Sequence, residues 1–477
     1  MLNTRKGSAR HTVPLMILGL VLLDGCTQNP PSPLEKHLLE EFAGSYSLDE
    51  PQAERTREYI LVADEFEVTQ PDGRRLAVWS YNGEVPAPTL RLKLGERLRV
   101  VFTNNLPQRT TIHWHGIRVP NAMDGVPGVT QPPIEPGDTF IYEFVPKDAG
   151  TFWFHPHHRS SEQVERGLFG AVIVEDPEPL PYSQDVLWIL DDWLLDSKGA
   201  IDERFVTRRD LAHDGRWGNL ITVNGTTNTT LNAKVGERIR LRLLNSANGR
   251  IFRPDLQNLD ATIIAVDGMY AGRPLPYQGF ELAPGNRVDL DITIRKKDAG
   301  KTIQIKDGYT RRPYPLATII ISPEVVATPS FQSPARAKMP DWSSAKSAPV
   351  HLHFELDSRR GGPHGIEWTL NNLVYDDKHK DALILGRWNQ MRFTNHSYRL
   401  HPMHIHGMFF KVLARNGKPV NEPYWRDTVL LKRKESVDIG LVPLDEGEWL
   451  LHCHILEHAA AGMRTRVTVR EPRGWFW

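Results

Sequence analysis

The sequence predicts an all-β protein of three consecutive Greek-key β-sandwich domains. Three observations lead to this prediction. The 477 residues include 36 Gly and 36 Pro, a turn-rich composition that favours β structure. Apolar and polar residues alternate with a period of two in many short stretches, which is typical of half-buried strands. Two sequence frames each occur three times, and no long helical pattern competes with them.

The repeated frames divide the chain into three related copies. In the first frame, a Gly is followed by alternating apolar residues and then by an Asn at the expected strand end. It occurs as LKLGERLRVVFTNNL from Leu92, AKVGERIRLRLLNSA from Ala233 and LILGRWNQMRFTNHS from Leu383. An Asn-containing turn precedes each copy, at Asn82, Asn224 and Asn371. The second frame occurs as DAGTFWFH from Asp148, DAGKTIQI from Asp298 and DEGEWLLH from Asp445. We therefore expect one β-sandwich fold to be repeated three times.

Composition also places the linkers between the copies. A Pro-rich stretch covers residues 176–181, and a second linker runs through residues 322–349. The predicted domains are accordingly residues 55–176, 182–322 and 349–472.

The N-terminal residues have the layout of an export signal. A basic segment precedes the apolar run Val13–Leu23, which is too short to span a bilayer as a helix. The run ends at a sequence that resembles a bacterial lipobox, with Cys26 as the residue that would carry lipid. The resemblance implies that residues 1–25 are a signal peptide of the lipoprotein type, and we expect residues 26–54 to be a tether. The expected location is the periplasmic side of a bacterial cell envelope, lipid-anchored there or otherwise secreted.

Charge and cysteine content exclude several classes of protein. The formal net charge is zero, which argues against a nucleic-acid-binding protein because phosphate neutralisation needs an excess of Lys and Arg. Two Cys are too few for a disulfide scaffold, an all-thiolate zinc site or a cysteine-ligated iron–sulfur cluster. The 19 His are the feature that needs explaining.

Most of the informative His lie in four clusters at predicted strand ends of the first and third copies. They are His113 and His115, His155 and His157, His401, His404 and His406, and His452, His454 and His458. The second copy keeps the frame but has Ile305 where the other copies have His155 and His452. The His are therefore additions to the frame and are not needed to fold it.

Strand parity predicts how these side chains point. Alternate residues of a strand face the same side, so each His-x-His pair can direct two rings toward one site. His452 and His454 then face one way, and Cys453 faces the other. By the same rule His401 can join the side opposite to His404 and His406, so a thiolate would connect two metal sites through a few covalent bonds.

A second metal site is indicated around Cys453. His458 and Met463 lie on the predicted loop after it, and one Cys, two His and one Met form the ligand set of a blue-copper electron-transfer centre. The remaining eight imidazoles suit copper among other borderline metals. Zinc is the alternative, but a redox-inert ion gives no reason for the set of Cys453, His401, His458 and Met463.

These four clusters resemble the four copper motifs of the multicopper oxidases, a laccase-type family with three cupredoxin domains. The resemblance covers residues 50–472 and implies four copper ions per chain. It implies a type 1 copper at His401, Cys453 and His458 with Met463 axial, a type 2 copper at His113 and His404, and a type 3 pair. One type 3 copper would be held by His115, His155 and His454 and the other by His157, His406 and His452.

The family also implies roles for neighbouring residues. A reducing substrate would pass electrons singly through His458 and Cys453 to the three-copper cluster, where O2 is reduced to water. Asp124 matches an acidic residue near the type 2 copper and is expected to deliver protons, although it also suits a turn with Gly125. Bacterial relatives often have Glu where this chain has Ala459, and Glu457 cannot simply be assumed to replace it.

Several other residues have simpler interpretations. We read Asp427 as a structural residue or one that orients metal ligands. His158, His351 and His353 are interpreted as structural or exposed, and aromatic packing accounts for Trp114 and Trp153.

The substrate is the least constrained part of the prediction. Phenol or aromatic-amine oxidation is the leading expectation. A metallo-oxidase for Cu(I), Fe(II) or Mn(II) is the alternative, although the 9 Met are dispersed and form no Met-rich insertion. A copper-free envelope scaffold is a remote third reading, and nitrite reductase is disfavoured because the Cys of that enzyme lacks the following His that Cys453 has. The expected partners are O2 and a small donor, and the chain is expected to be monomeric.

Overall fold

Alternating apolar residues build the strands of the first sandwich, as in β4, where every second side chain is buried. The computed structural model describes residues 55–257, 259–334, 350–375 and 382–471, with the isolated residues 33 and 53. The predicted signal peptide and Cys26 lie outside the described residues. Sandwich 1 consists of strands β1 (Arg55–Thr69), β2 (Arg75–Tyr81), β3 (Leu90–Lys93), β4 (Glu96–Asn104), β5 (His113–His115), β6 (Thr139–Phe144), β7 (Gly150–His155) and β8 (Gly170–Glu175).

Sandwich 2 follows with ten strands. They are β9 (Gln184–Trp193), β10 (Leu220–Val223), β11 (Thr230–Val235), β12 (Arg238–Asn245), β13 (Pro254–Asp255), β14 (Asp260–Val266), β15 (Met269–Pro276), β16 (Arg287–Thr293), β17 (Thr302–Asp307) and β18 (Tyr314–Val325).

Sandwich 3 contains the last eleven strands of the described residues. They are β19 (Leu352–Arg359), β20 (Glu367–Leu370), β21 (Ala382–Ile384), β22 (Asn389–Asn395), β23 (His401–Ile405), β24 (Lys411–Arg415), β25 (Lys418–Pro419), β26 (Thr428–Leu431), β27 (Ser436–Leu441), β28 (Gly447–Cys453) and β29 (Arg464–Arg470).

The three sandwiches share one strand arrangement, each made of two sheets. The sheet orders are β2-β1-β4-β6 with β3-β8-β7-β5, β10-β9-β12-β16-β14-β15 with β11-β18-β17-β13, and β20-β19-β22-β27-β24-β25 with β21-β29-β28-β23-β26. In every copy the opening strand runs parallel to the strand of the first frame, as β1 with β4, β9 with β12 and β19 with β22. The all-β prediction of three consecutive cupredoxin-like domains is therefore confirmed, while the residue boundaries proposed for the domains stay a prediction.

The repeated frames form equivalent turns and strands. The Gly of the first frame is Gly95, Gly236 or Gly386, and in each copy it has a positive φ between two strands. Glycine adopts this conformation without the steric cost that a side chain brings. The preceding Asn82, Asn224 and Asn371 also have positive φ, as tight turns require. The second frame forms β7, β17 and β28.

Apolar packing joins sandwich 1 to sandwich 3. The core cluster of sandwich 1 also includes residues from the third copy, among them Phe409 and Trp425. This contact places the ends of β5 and β7 beside the ends of β23 and β28, where the His clusters lie.

Helices are short in the described part of the chain. The α-helices are α1 (Ser160–Gln163), α2 (Arg208–Ala212) and α3 (Leu456–Ala460). Within the described residues, no helix has both the length and the apolar character needed to cross a membrane.

Candidate metal centres

Strand pairing puts imidazoles from distant parts of the chain side by side. In sandwich 1, β5 pairs antiparallel with β7, and His113 lies opposite His155. In sandwich 3, β23 pairs antiparallel with β28, and His404 lies opposite His452. Each pair of strands therefore presents His side chains at one end of its sheet.

Eight imidazoles meet where sandwiches 1 and 3 pack together. The rings of His113 and His406 stack with centroids 3.7 Å apart, and those of His115 and His404 stack at the same distance. The cluster contains every residue predicted for the type 2 and type 3 sites: His113, His115, His155, His157, His404, His406, His452 and His454.

The eight rings fall into groups whose ligand atoms lie within 4.8 Å of one another. One such group is His115, His155 and His454, another is His157, His406 and His452, and a third combines His113 and His404 with His115. The structure thus brings together the members of each set that the sequence resemblance implied.

Hydrogen bonds fix which ring nitrogen is free. His113 Nδ1 donates to the backbone oxygen of Asp124 at 2.8 Å, and His404 Nδ1 donates to that of Asp427 at 2.9 Å. The opposite nitrogen, Nε2, then has a lone pair and no proton. Within the described residues, Nε2 of His113, His155, His157 and His404 has no hydrogen-bond partner although it is buried.

Two rings of the cluster direct such lone pairs toward each other. His406 Nδ1 donates to Asp124 and His452 Nδ1 donates to the backbone oxygen of Cys453, so their Nε2 atoms are both acceptors. These two Nε2 atoms are 3.2 Å apart. Burial lowers the pKa of His452 to about 3, which disfavours a shared proton as the solution. A metal cation satisfies both lone pairs, so the donor set fits a metal centre.

Two carboxylates hold the rings from outside the cluster. Asp124 Oδ2 accepts from His406 Nδ1 at 2.8 Å, and Asp427 Oδ1 accepts from His115 Nε2 at 3.1 Å. Burial raises the pKa of Asp427 to about 7, although the neighbouring Arg287 opposes this shift. Both carboxylates contact rings, as expected for residues that orient ligands.

Sequence reasoning missed the contribution of sandwich 2 to this cluster. Arg287 is fully buried and donates from Nη1 to Asp427 Oδ1 at 3.0 Å, across 140 positions of the chain. Gly285, with φ of +88°, packs so closely that an added Cβ would lie 3.0 Å from His115 Cε1 and from His454 Cδ2. Neither residue has a sequence signal, because a single Arg or Gly at a strand end is common.

The second centre surrounds Cys453 on the opposite side of β28. Cys453 Sγ lies 3.6 Å from His401 Nδ1 and 3.9 Å from His458 Nδ1, and these two nitrogens are 3.3 Å apart. Burial raises the pKa of the Cys453 thiol, so a bound cation would be needed to hold it as a thiolate. Met463 is fully buried in the same core cluster, and its backbone oxygen accepts from Cys453 N at 3.0 Å.

The rings of this centre are also held by their outer nitrogens. His401 Nε2 contacts Ser397 Oγ at 2.9 Å, and His458 Nε2 donates to the backbone oxygen of His213 at 2.9 Å. Both Nδ1 atoms are thereby left as acceptors that face Cys453. The thiolate of this donor set suits a soft metal ion such as copper, whereas the eight imidazoles of the His cluster suit copper among other borderline metals.

One sequence expectation about this region is wrong. His458 was expected on a loop, but it lies in helix α3. The run from Ala459 to Ala461 favours a helical turn because Ala has the highest helix propensity. The helix points His458 back toward Cys453 and leaves Met463 on the following turn.

Two cavities lie beside the two candidate metal centres. One has a volume of about 400 Å³ and reaches His157 and His452, with His158, Ala459 and Arg464 in its wall. The other has a volume of about 340 Å³ and is lined by His213, whose backbone oxygen contacts His458. The two centres are therefore approached from different cavities.

The remaining singled-out residues lie where packing explains them. The side chains of His351 and His353 are on exposed positions of sandwich 3, and His353 Nε2 contacts Thr394 Oγ1 at 2.8 Å. Trp114 packs on the aromatic core of sandwich 1, and Trp153 stacks on His155 with centroids 4.2 Å apart.

Comparison with known proteins follows the same division of the chain. Three family models, each described as multicopper oxidase, match residues 64–179, 184–304 and 344–473. A solved multicopper oxidase from Pseudomonas thermotolerans is 33% identical, with a TM-score of 0.77 over 87% of this chain and 99% of that one.

Two further relatives differ in how they are described. Laccase-2 of Botryotinia fuckeliana is 29% identical over 88% of this chain and 84% of its own length. A solved multicopper oxidase from Campylobacter jejuni, described as a metallo-oxidase, is 25% identical with a TM-score of 0.74, covering 88% of this chain and 96% of that one. The chain therefore belongs to the multicopper oxidase family, whose copper-dependent members are oxidoreductases that use oxygen.

Proposed function

We propose that this chain oxidises phenolic or aromatic-amine donors one electron at a time and reduces O2 to water. The single observation that best supports this proposal is the alternation His452, Cys453, His454. Two of these side chains lie in the eight-His cluster, and the one between them lies beside His401 and His458. Two metal centres joined by consecutive residues suit an enzyme that collects electrons at one site and uses them at another.

The proposed copper ligands are those that the sequence resemblance implied. A type 1 copper would be held by Cys453, His401, His458 and Met463, and the eight-His cluster would hold one type 2 and two type 3 ions. Bound copper supplies reversible one-electron oxidation and reduction at both centres. The unpartnered ring nitrogens support this assignment, because each would otherwise be a buried acceptor without a donor.

The protein contributes positioning and protons. Backbone oxygens hold His113 and His404 in one tautomer, so their Nε2 atoms stay available. We propose that Asp124 delivers protons, because its Oδ2 atom contacts His406 Nδ1 at 2.8 Å and its side chain is buried beside the cluster. Four donors would each give up one electron, and the four electrons with four protons convert one O2 into two waters.

The alternative is a metallo-oxidase that acts on Cu(I), Fe(II) or Mn(II). The Campylobacter jejuni relative carries that description. The 9 Met of this chain are dispersed, so the sequence has no Met-rich segment that would gather Cu(I) near Cys453.

The deciding experiment uses the purified chain loaded with copper. We expect an intense visible absorption from the thiolate and several copper ions per chain, together with oxygen consumption on addition of a phenol. The ratio of kcat/KM for a phenol to kcat/KM for Cu(I) then separates the two oxidase functions. A higher value for Cu(I) would favour the metallo-oxidase, and a chain that binds no copper would favour the scaffold function.

We further propose that the protein acts on the periplasmic side of the bacterial envelope as a monomer. The support is the export-like layout before Cys26 in the sequence. In a bacterial host, Cys26→Ser should move the protein from the membrane fraction to the soluble fraction. An unchanged distribution would contradict lipid anchoring, and light scattering of the purified protein would test the monomer.

A further inference from the structure

The cavity next to His458 is the place where a reducing donor would approach the Cys453 centre. His458 Nδ1 faces Cys453, whereas its Nε2 donates to the backbone oxygen of His213 at 2.9 Å. His213 lies in the wall of the cavity of about 340 Å³. A molecule in this cavity is therefore separated from the His458 ring by one hydrogen-bonded backbone group.

The wall of this cavity is rich in guanidinium groups. Arg209 comes from helix α2 of sandwich 2, and Arg399 and Arg433 come from sandwich 3. Within the described residues, the guanidinium groups of Arg209 and Arg399 have no carboxylate partner, and Arg433 lies 3.7 Å from Asp214. Two of the three positive charges are thus free to meet a ligand.

The carboxylates of the wall are already occupied by contacts within the protein. Asp210 Oδ2 accepts from Thr207 N and from Thr207 Oγ1, both at 2.8 Å, and so caps helix α2. Asp214 Oδ1 accepts from Leu400 N at 2.9 Å. These contacts hold both carboxylates in place but leave their charge, so the wall of three Arg and two Asp keeps a net positive charge that disfavours a metal cation.

One side of the cavity is aromatic. Trp217 is half-buried, and its Nε1 donates to the backbone oxygen of Asp214 at 2.9 Å, which fixes the plane of the ring. Leu194 adds an apolar contact in the same wall. A flat ring on Trp217 would thus lie in a cavity that also holds Arg209 and Arg399.

We propose that this site selects aromatic donors that carry an anionic substituent, namely a carboxylate or a sulfonate. The guanidinium groups would bind the anionic group, and the ring would pack on Trp217. The inference rests on the proposed phenol oxidation and names its preferred substrate class. In each turnover step the phenol loses one electron to the Cys453 centre and its hydroxyl proton to solvent, and the anionic substituent is unchanged.

The test compares two donors that differ by one charge. Guaiacol is a neutral phenol, and vanillate is the same ring with an added carboxylate. The carboxylate also alters how easily the ring is oxidised, so the informative quantity is the ratio of kcat/KM for vanillate to kcat/KM for guaiacol, compared between variants. This comparison cancels the intrinsic difference between the two phenols.

We expect Arg399→Gln and Arg209→Gln each to lower this ratio by about 1.4- to fivefold, as for partly exposed ion pairs. Arg399→Lys should keep most of the preference because it keeps the charge. The matched control is Arg97→Gln on sandwich 1, which removes one positive charge outside the cavity and should leave the ratio unchanged. The thiolate absorption of each variant reports whether the Cys453 centre is intact.

Other outcomes would overturn the proposal. If both cavity variants keep the wild-type ratio while their visible absorption is intact, the guanidinium groups do not select the donor. An equal fall in Arg97→Gln would mean that overall charge matters and not this cavity. If the wild-type chain oxidises neither phenol, the proposed function itself fails, and with it this inference.

Discussion

Sandwich 2 and sandwich 3 share one sequence frame, but its last residue is an apolar core residue in sandwich 2 and a candidate metal ligand in sandwich 3. The second frame ends at Ile305 in sandwich 2 and at His452 in sandwich 3. Ile305 is fully buried in the apolar core of its own sandwich, whereas His452 joins the cluster between sandwiches. The same strand therefore forms with an apolar residue or an imidazole at this position, so the strand itself does not depend on the ligand.

Sandwich 2 nevertheless supports the cluster from outside. Its Arg287 holds Asp427, which contacts His115, and also donates from Nε to the backbone oxygen of Thr151 in sandwich 1. The copy without His ligands thus holds in place the two copies that carry them. The following variants test how far ligands and scaffold are separable.

Cys453→Ser should have the largest effect, because it removes the sulfur ligand through which the Cys453 centre is connected to His452 and His454. Loss of groups that only orient ligands costs about 10- to 100-fold in activity. Loss of this ligand should therefore lower oxidase activity by more than about 100-fold and abolish the visible thiolate band.

The matched control is Cys26→Ser, the same change at the other cysteine of the chain. It should keep both activity and colour in the purified protein. Full activity in Cys453→Ser would contradict the assigned electron path.

His452→Ile gives the frame of sandwich 3 the residue that sandwich 2 has at the equivalent position. It removes one ring from the group of His157, His406 and His452, so we expect less bound copper and little O2 reduction. The thiolate band should remain because Cys453 is unchanged. Copper analysis and visible spectroscopy check both statements.

The complementary variant is Ile305→Val in sandwich 2. Removing one buried methyl group should lower the free energy of unfolding by about 0.5–1.5 kcal/mol and leave the copper content unchanged. Loss of copper in this variant would show that ligands and scaffold are not separable.

Asp124→Asn tests proton delivery with almost no change of shape. The amide can still contact His406 Nδ1 through its oxygen but carries no proton-accepting charge. We expect copper and the visible band to remain and O2 reduction to slow by about 10- to 100-fold. Stopped-flow reoxidation of the reduced enzyme measures this step, and an unchanged rate would refute the role.

Met463→Leu should change the fold little, because the two side chains have similar volumes and the cost is below about 1.5 kcal/mol. Removing the Met463 thioether should raise the reduction potential of the Cys453 centre and weaken its hold on the metal. Voltammetry checks the potential. No upward shift would mean that Met463 does not act on the metal.

The fold and the ring positions were predictable because they depend on local patterns. Alternation in the frames specified the strands, and strand parity put Cys453 opposite His452 and His454. The contacts of Arg287 were not predictable, because its partner Asp427 is 140 positions away and strand arginines usually face solvent. The position of the unpaired Arg399 guanidinium could not be predicted either, since only the tertiary structure brings it beside His213.

The hydrogen bond from His458 to the His213 backbone has a consequence for how such enzymes diversify. It attaches a segment of the copy without copper ligands to the outermost ring of the Cys453 centre. Substitutions in that segment can change the surface that a donor meets near the His458 ring, while the strands that carry the ligands stay the same. Substrate choice and oxygen chemistry could then vary independently across descendants of one ancestor.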